Sequence, residues 1–275
     1  MAGRSVCLIT GASSGFGRGL ALHLAREGYA VGLLARRKPL LEEVSREIRA
    51  EGGTAGVYPG DVSEREEVLG AVEACRRELG EVDLLVANAG ISTYATPEEL
   101  DAREVERVFG INFFGAVTAT EAVLPGMLER GRGQIVVVGS LAGFQGLPFH
   151  GSYCATKGAL FNFFESLRLD VAPRGVDVTI ITPGFVKTEM TAHNRYPMPF
   201  LMDLEPALRI MVKGILKKKK VVRFPIPLST TTWWSRVLPR GFFDWLMRKG
   251  ATRGSSSSAA PDSSPDSSSS SSSSS

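Results

Sequence analysis

The sequence predicts a doubly wound α/β fold: a mainly parallel, seven-stranded sheet with helices on both faces. Short apolar runs alternate with amphipathic helical patterns along the chain, as expected when a crossover helix follows each strand. A glycine-rich stretch, Thr10-Gly11-Ala12-Ser13-Ser14-Gly15-Phe16-Gly17, links the first apolar run to the first helical pattern. Residues 1–254 precede an almost pure serine tail, and about 250 residues suffice for one large domain with a full core.

The first strand is Val6–Ile9, and it begins so early that no leader peptide is expected. A helical pattern, Phe16–Glu27, comes next. Strands at Val31–Ala35 and Gly56–Tyr58 flank a helix over Pro39–Ala50. Then come a helix over Glu64–Leu79, a strand at Leu84–Ala87 and a long helical pattern over Glu98–Glu129. The strand Gln134–Val138, the helix Tyr153–Val171 and the strand Val176–Thr182 continue the alternation. A helix over Glu205–Lys218 and a short strand at Val221–Phe224 close it. Such sheets bind ligands beyond the C-terminal ends of their strands, where strand order reverses.

Residues 1–254 are thus expected to form one domain, with 189–253 supplying a lid and an amphipathic C-terminal extension. The serine-rich residues 255–275 have no apolar surface to bury and are expected to be disordered. No apolar run reaches the roughly 18 residues of a membrane span. Hydrophobic residues make up 43% of the chain and mean hydropathy is +0.03, values that suit a soluble globular protein.

The net charge of +3 is segregated. Residues 209–253 hold twelve Lys or Arg against Asp244 alone, which leaves the preceding body net acidic. That basic end is either a solvated rim or the neighbour of an anionic surface such as lipid headgroups. Cys7, Cys75 and Cys154 show no pairing or metal spacing, so free thiols in the cytoplasm and no metal site are expected.

The chemistry is concentrated after the strand that ends at Val138, in the stretch Gly139 to Lys157. Tyr153 and Lys157 are four residues apart, on one face of a helix. A cation beside a phenol favours the phenolate, lowering the tyrosine pKa from its reference near ~10. Such a tyrosine exchanges protons near neutral pH if another group carries the hydride. The glycine stretch provides for that group, because a strand–turn–helix of this kind offers free N–H groups to a pyrophosphate. At the end of the second strand stand Arg36 and Arg37, with no acidic residue for a ribose 2′-hydroxyl. Arginines there suit a 2′-phosphate and hence NADP(H); a solvated pair opening a helix is the plainer reading.

The TGxxxGxG spacing of residues 10–17 and the pair Tyr153-x-x-x-Lys157 together resemble the short-chain dehydrogenase/reductase family, in its single-domain Rossmann form. The resemblance covers about residues 5 to 190. It implies an NADP(H)-dependent oxidoreductase interconverting a carbonyl and an alcohol. Arg36 is the better aligned arginine for the 2′-phosphate, and Asp61-Val62 matches a pair that contacts adenine; that pair also reads as a turn before a helix. Ala87-Asn88-Ala89-Gly90 looks like the family's NNAG motif with its first Asn replaced.

By the same resemblance, Ser140 binds the substrate carbonyl oxygen together with Tyr153, and Lys157 also binds the nicotinamide ribose. The matching Asn112 holds a water between the lysine and solvent; taken alone it reads as a hydrogen-bonded core residue. In Thr182-Pro183-Gly184-Phe185-Val186-Lys187-Thr188, positions Val186 and Thr188 match residues that contact the carboxamide. No family role transfers to His150, which either lines the pocket or caps a loop.

Met190, Tyr196, Met198, Phe200 and Met202 make the stretch 189–204 greasy. It predicts either a lid for a lipophilic substrate, steroid-, retinoid- or lipid-like, or simple closure of the core. Lys217 to Lys220 read as the solvated end of a helix. The aromatic, arginine-rich segment within 228–250, with Trp233, Trp234, Phe242, Phe243 and Trp245, predicts peripheral membrane contact, a subunit seal or a cover over the substrate mouth. Expected partners are a small lipophilic molecule and further copies of the chain, as dimer or tetramer, without nucleic acid. Two alternatives stand beside a carbonyl reductase: a 3-oxoacyl thioester reductase, and a non-catalytic NADP-sensing protein.

Overall fold

The computed structural model describes residues 4–192 and 198–234 together with Gly241. Seven strands form one parallel sheet: β1 (Val6–Thr10), β2 (Ala30–Ala35), β3 (Thr54–Pro59), β4 (Val82–Ala87), β5 (Gly133–Val138), β6 (Val176–Pro183) and β7 (Val221–Phe224). Their order is β3-β2-β1-β4-β5-β6-β7. The order reverses between β1 and β4, so the cleft at that point opens above the C-terminal ends of these two strands. Every residue of β1 and β2 is buried, which explains why they read as continuous apolar runs rather than alternating ones.

Helices α1 (Gly15–Arg26), α2 (Lys38–Ala50) and α8 (Leu204–Leu216) cover one face. Their buried side chains, among them Leu20, Leu24, Leu41, Ile48 and Met211, pack with Ile9, Leu33 and Val136 of the sheet. Helices α3 (Arg65–Leu79), α5 (Gly115–Glu129) and α6 (Gly151–Val171) cover the other. There Val72, Val123, Met127 and Phe164 pack on Leu8, Leu85 and Val137. This two-sided burial is the main source of stability, at about 25 cal/mol per Å² of apolar surface.

The long pattern predicted over Glu98–Glu129 is divided. Thr96 and Glu99 close a capping box around a short turn at Pro97–Glu99. Helix α4 (Ala102–Phe109) then starts on Asp101, whose carboxylate accepts from the Arg103 amide at 2.9 Å. A π turn at Gly110–Phe114 joins α4 to α5. As one helix, Ala102–Glu129 is long and apolar enough to cross a membrane by composition, with an 18-residue window of mean hydropathy 1.3. Its buried Ile111, Ala119, Val123 and Met127 instead belong to the core beneath the sheet.

The predicted loop 189–204 contains a short helix, α7 (Glu189–Ala192), and a bridge between Val186 and Met202. His193 and Tyr196 lie outside the described residues, as does the serine-rich tail. Helix α9 (Ile226–Trp234) comes almost directly after β7. The side chains of Trp233 and Trp234 and the aromatic residues Phe242, Phe243 and Trp245 also fall outside the described ones. Exposed Lys217 to Lys220 precede β7, and Lys218 pairs at 2.8 Å with Asp177 near the start of β6. They therefore sit at the N-terminal edge of the sheet, while α9 starts at the C-terminal edge.

Candidate active site

The glycine turn leads from β1 into α1 and is fixed from β4. Thr10 Oγ1 accepts the amides of Asn88 and Ala89, both at 3.0 Å. Asn88 Nδ2 donates to the carbonyls of Thr10 and Gly11, at 3.0 and 3.4 Å. Gly11 has φ +66°, and a Cβ there would lie 2.8 Å from Ala89 Cα. A Cβ on Gly17 would overlap the carbonyl oxygen of Gly11. Gly15 has φ +53°. Phe16 packs beneath the turn against the core. Ser14 is the N-cap of α1 but makes no side-chain cap bond, so the amides at the helix start face outward uncapped. The turn is thus tight, with the positive end of the α1 dipole at its mouth.

The two arginines at the end of β2 point in different directions. Arg37 Nη2 donates to Ser14 Oγ at 2.8 Å and Ser13 Oγ at 3.2 Å, and lies 3.4 Å from the Glu189 carboxylate. Arg36 reaches Asp61 Oδ2 at 3.4 Å. Arg37 is therefore the arginine next to the glycine turn, whereas alignment favours Arg36. Asp61 accepts from the amide and hydroxyl of Ser63, at 3.0 and 2.7 Å, so it does build a turn before α3. Burial pushes its carboxyl up, but those bonds and Arg36 together hold it below the ordinary range. Val62 is buried and packs where a Cβ on Gly115 would come within 2.9 Å.

Beyond β5, Ser140 caps a short helical turn over Leu141–Phe144 and accepts from the Ala142 amide at 3.1 Å. Helix α6 starts two residues before Tyr153, so Tyr153 and Lys157 stand on its first two turns. Lys157 Nζ is 5.7 Å from the centroid of the Tyr153 ring and donates to the Val138 carbonyl at 2.8 Å. Lys157 is only 4% exposed, and burial pushes its ammonium down to about 8. Gly90 packs against this amine: a Cβ there would be 3.2 Å from Asn112 Oδ1 and 3.5 Å from Lys157 Nζ.

Asn112 is fully buried in the π turn. Its Oδ1 accepts from the Ile91 amide at 2.7 Å, and its Nδ2 donates to the Ile91 carbonyl at 2.9 Å and to Thr156 Oγ1 at 3.1 Å. The side chain is committed to holding the β4 loop against α6. His150 lines the cleft beside Tyr153, and it stands at the N-cap position of α6 without a side-chain cap bond. Its Nδ1 donates to the Thr93 carbonyl at 2.9 Å, and burial lowers its pKa, with that hydrogen bond opposing.

Ser140 and Tyr153 line one cleft of about 130 Å³, with Phe185, Met190 and Leu228 among its apolar walls. Pro183 ends β6, and the Gly184 amide donates to the Phe224 carbonyl at 2.7 Å. Val186 is buried, and its carbonyl accepts from Thr191 Oγ1 at 2.7 Å. Thr188 lies 3.7 Å from the place a Cβ on Gly15 would take, so the residues after β6 meet the glycine turn. Sequence alone does not single out Thr10, Glu189 or Leu228. The Thr10 hydroxyl, inside the glycine motif, is the one with a readable signal.

A family profile described as short chain dehydrogenase matches residues 5–198. An uncharacterized oxidoreductase of Myxococcus xanthus is 45% identical over 242 residues, covering 88% of this chain and 96% of that protein. An 11-beta-hydroxysteroid dehydrogenase A of Sesamum indicum is 33% identical, over 88% of this chain and 74% of the other. Among solved structures, a 3-ketoacyl-(acyl-carrier-protein) reductase of Brucella melitensis complexed with NADH superposes with a TM-score of 0.72 at 28% identity. That match covers 80% of this chain and 96% of the other.

Proposed function

The chain belongs to the short-chain dehydrogenase family, and from that membership we propose an NADP(H)-dependent oxidoreductase that interconverts a carbonyl and an alcohol on a lipophilic small molecule. The observation that carries this reading is one cleft in which Ser140 and Tyr153 meet, with Lys157 buried behind the tyrosine ring.

The residues fit a nicotinamide dinucleotide. The cradle of Gly11, Gly15 and Gly17 and the uncapped start of α1 suit its pyrophosphate. Arg37 with Ser13 and Ser14 suits a 2′-phosphate, and Arg36, which reaches Asp61 on the other side, is the second candidate. By the family resemblance, Asp61 and Val62 would hold the adenine side and Asn88, Ala89 and Gly90 would border the nucleotide above β4. Pro183, Gly184, Val186 and Thr188 would hold the nicotinamide, and Thr188 does come up against the glycine turn. When bound, the nicotinamide supplies or accepts the hydride.

The chain's own groups manage the oxygen. Ser140 Oγ accepts the Ala142 amide, which directs its hydroxyl hydrogen to a substrate oxygen. Tyr153 donates the proton to that oxygen in reduction and removes it in oxidation. Lys157, when charged, favours the phenolate by electrostatic attraction. Asn112 keeps Ile91, Thr156 and the π turn in place, so its part in a proton path is to shape the route behind Lys157. The apolar walls favour a greasy substrate.

A 3-oxoacyl thioester reductase is the second reading, favoured by a ketoacyl reductase of Nostoc sp. at 32% identity. NADPH oxidation across ketosteroids, retinal, aromatic aldehydes and acyl thioesters separates the two. Tyr153→Phe is expected to lose turnover by about 10²-fold or more while cofactor binding stays near wild type. Activity within tenfold of wild type would remove Tyr153 as proton donor.

A further inference from the structure

We propose that Leu228 of α9 sets specificity at this site by rejecting branching next to the substrate carbonyl. The inference rests on the carbonyl–alcohol reading above and narrows its substrate class.

Leu228 is half-buried and lines the same cleft as Ser140 and Tyr153, together with Leu141 and Leu147. A volume of about 130 Å³ is slightly below the roughly 150 Å³ cavity that holds a benzene ring. The carbonyl and its nearest neighbours therefore lie close to the walls, and a wall that is packed from behind limits their shape.

The Leu228 wall is packed from below. A Cβ on Gly184 would lie 2.7 Å from Leu228 Cδ2 and 3.0 Å from Pro225 Cδ, so the leucine occupies space that exists because residue 184 is glycine. The Gly184 amide also ties this turn to Phe224. In the first turn of α9 the Ser229 amide donates to the Pro225 carbonyl at 3.0 Å, and the Ser229 and Thr230 hydroxyls donate to the Ile226 carbonyl at 2.9 and 3.1 Å. Met190 on the outer wall is 43% exposed and unbranched, so it can yield to a long arm. Leu228, braced from below, cannot yield to a quaternary carbon. The site thus admits an unbranched or flat apolar arm and leads it outward past Met190.

The test compares isomers, methyl n-butyl ketone and methyl tert-butyl ketone, as substrates of the full chain with NADPH. Within each variant the ratio of the two kcat/KM values cancels any loss of folded protein. Leu228→Ala is expected to shift the ratio toward the tert-butyl isomer by about tenfold or more, and Leu228→Phe to shift it the other way. A ratio within about twofold of wild type in both variants overturns the proposal. If no variant reduces either ketone, the reaction reading fails on its own account. The Leu228 methyl resonances of the NADP-loaded protein then decide the inference. A shift with the n-butyl ketone alone supports it; equal shifts with both ketones, or with neither, overturn it.

Discussion

Lys157 donates its buried ammonium to the Val138 carbonyl at 2.8 Å, joining the second turn of α6 to the end of β5. Burial lowers the folded-state pKa of this amine from 10.5 to about 8. Between those pH values the unfolded chain carries a proton that the folded chain lacks, so stability rises with pH across the window. Below pH 8 the full penalty is present. Lys157→Met removes the buried charge but leaves the Val138 carbonyl without its donor. The variant is expected to be more stable than wild type at pH 7 by about 1–3 kcal/mol, and inactive. Urea unfolding at pH 7 and pH 10 checks this, because the advantage should shrink at the higher pH.

Arg37 contacts Ser13 and Ser14, whereas Arg36 contacts Asp61. Arg37→Ala is expected to weaken NADPH binding by about tenfold to a hundredfold, the worth of a charge-assisted contact. NADH binding should change by a few-fold at most. Arg36→Asp should move preference toward NAD(H). Fluorescence titration with both cofactors reads these effects, and an unchanged NADPH/NADH ratio in both variants would refute the 2′-phosphate assignment.

Asn112 satisfies both main-chain groups of Ile91. Asn112→Ala leaves these half-buried groups without that partner and is expected to cost about 1–3 kcal/mol, measured by urea unfolding. If Asn112 also shapes the proton route, turnover per folded molecule should fall and its pH profile should move. Unchanged turnover per folded molecule would leave Asn112 a purely structural residue.

The strand–helix order was legible because buried parallel strands read as unbroken apolar runs, and β1 and β2 are buried along their whole length. The glycine turn was legible because its motif sits between a strand and a helix, the one context that gives it meaning. The division at Asp101 and the π turn at Gly110–Phe114 were not. Helical periodicity runs on through such a bulge, and only the demand of Ile91 and Thr156 for Asn112 places it.

Fold class, family and the residue types of the candidate site follow from local spacing and could be read along the chain. Which side chains meet depends on how distant segments pack. The fold set Arg37 rather than Arg36 on the glycine turn, and it placed Leu228 over Gly184 in the cleft that Ser140 and Tyr153 line. It also separated Lys217–Lys220 from α9, although both belong to one basic segment of sequence. The reason is geometric. Strand β7 runs parallel to β6, so the lysines before it stand at one edge of the sheet and the helix after it at the other.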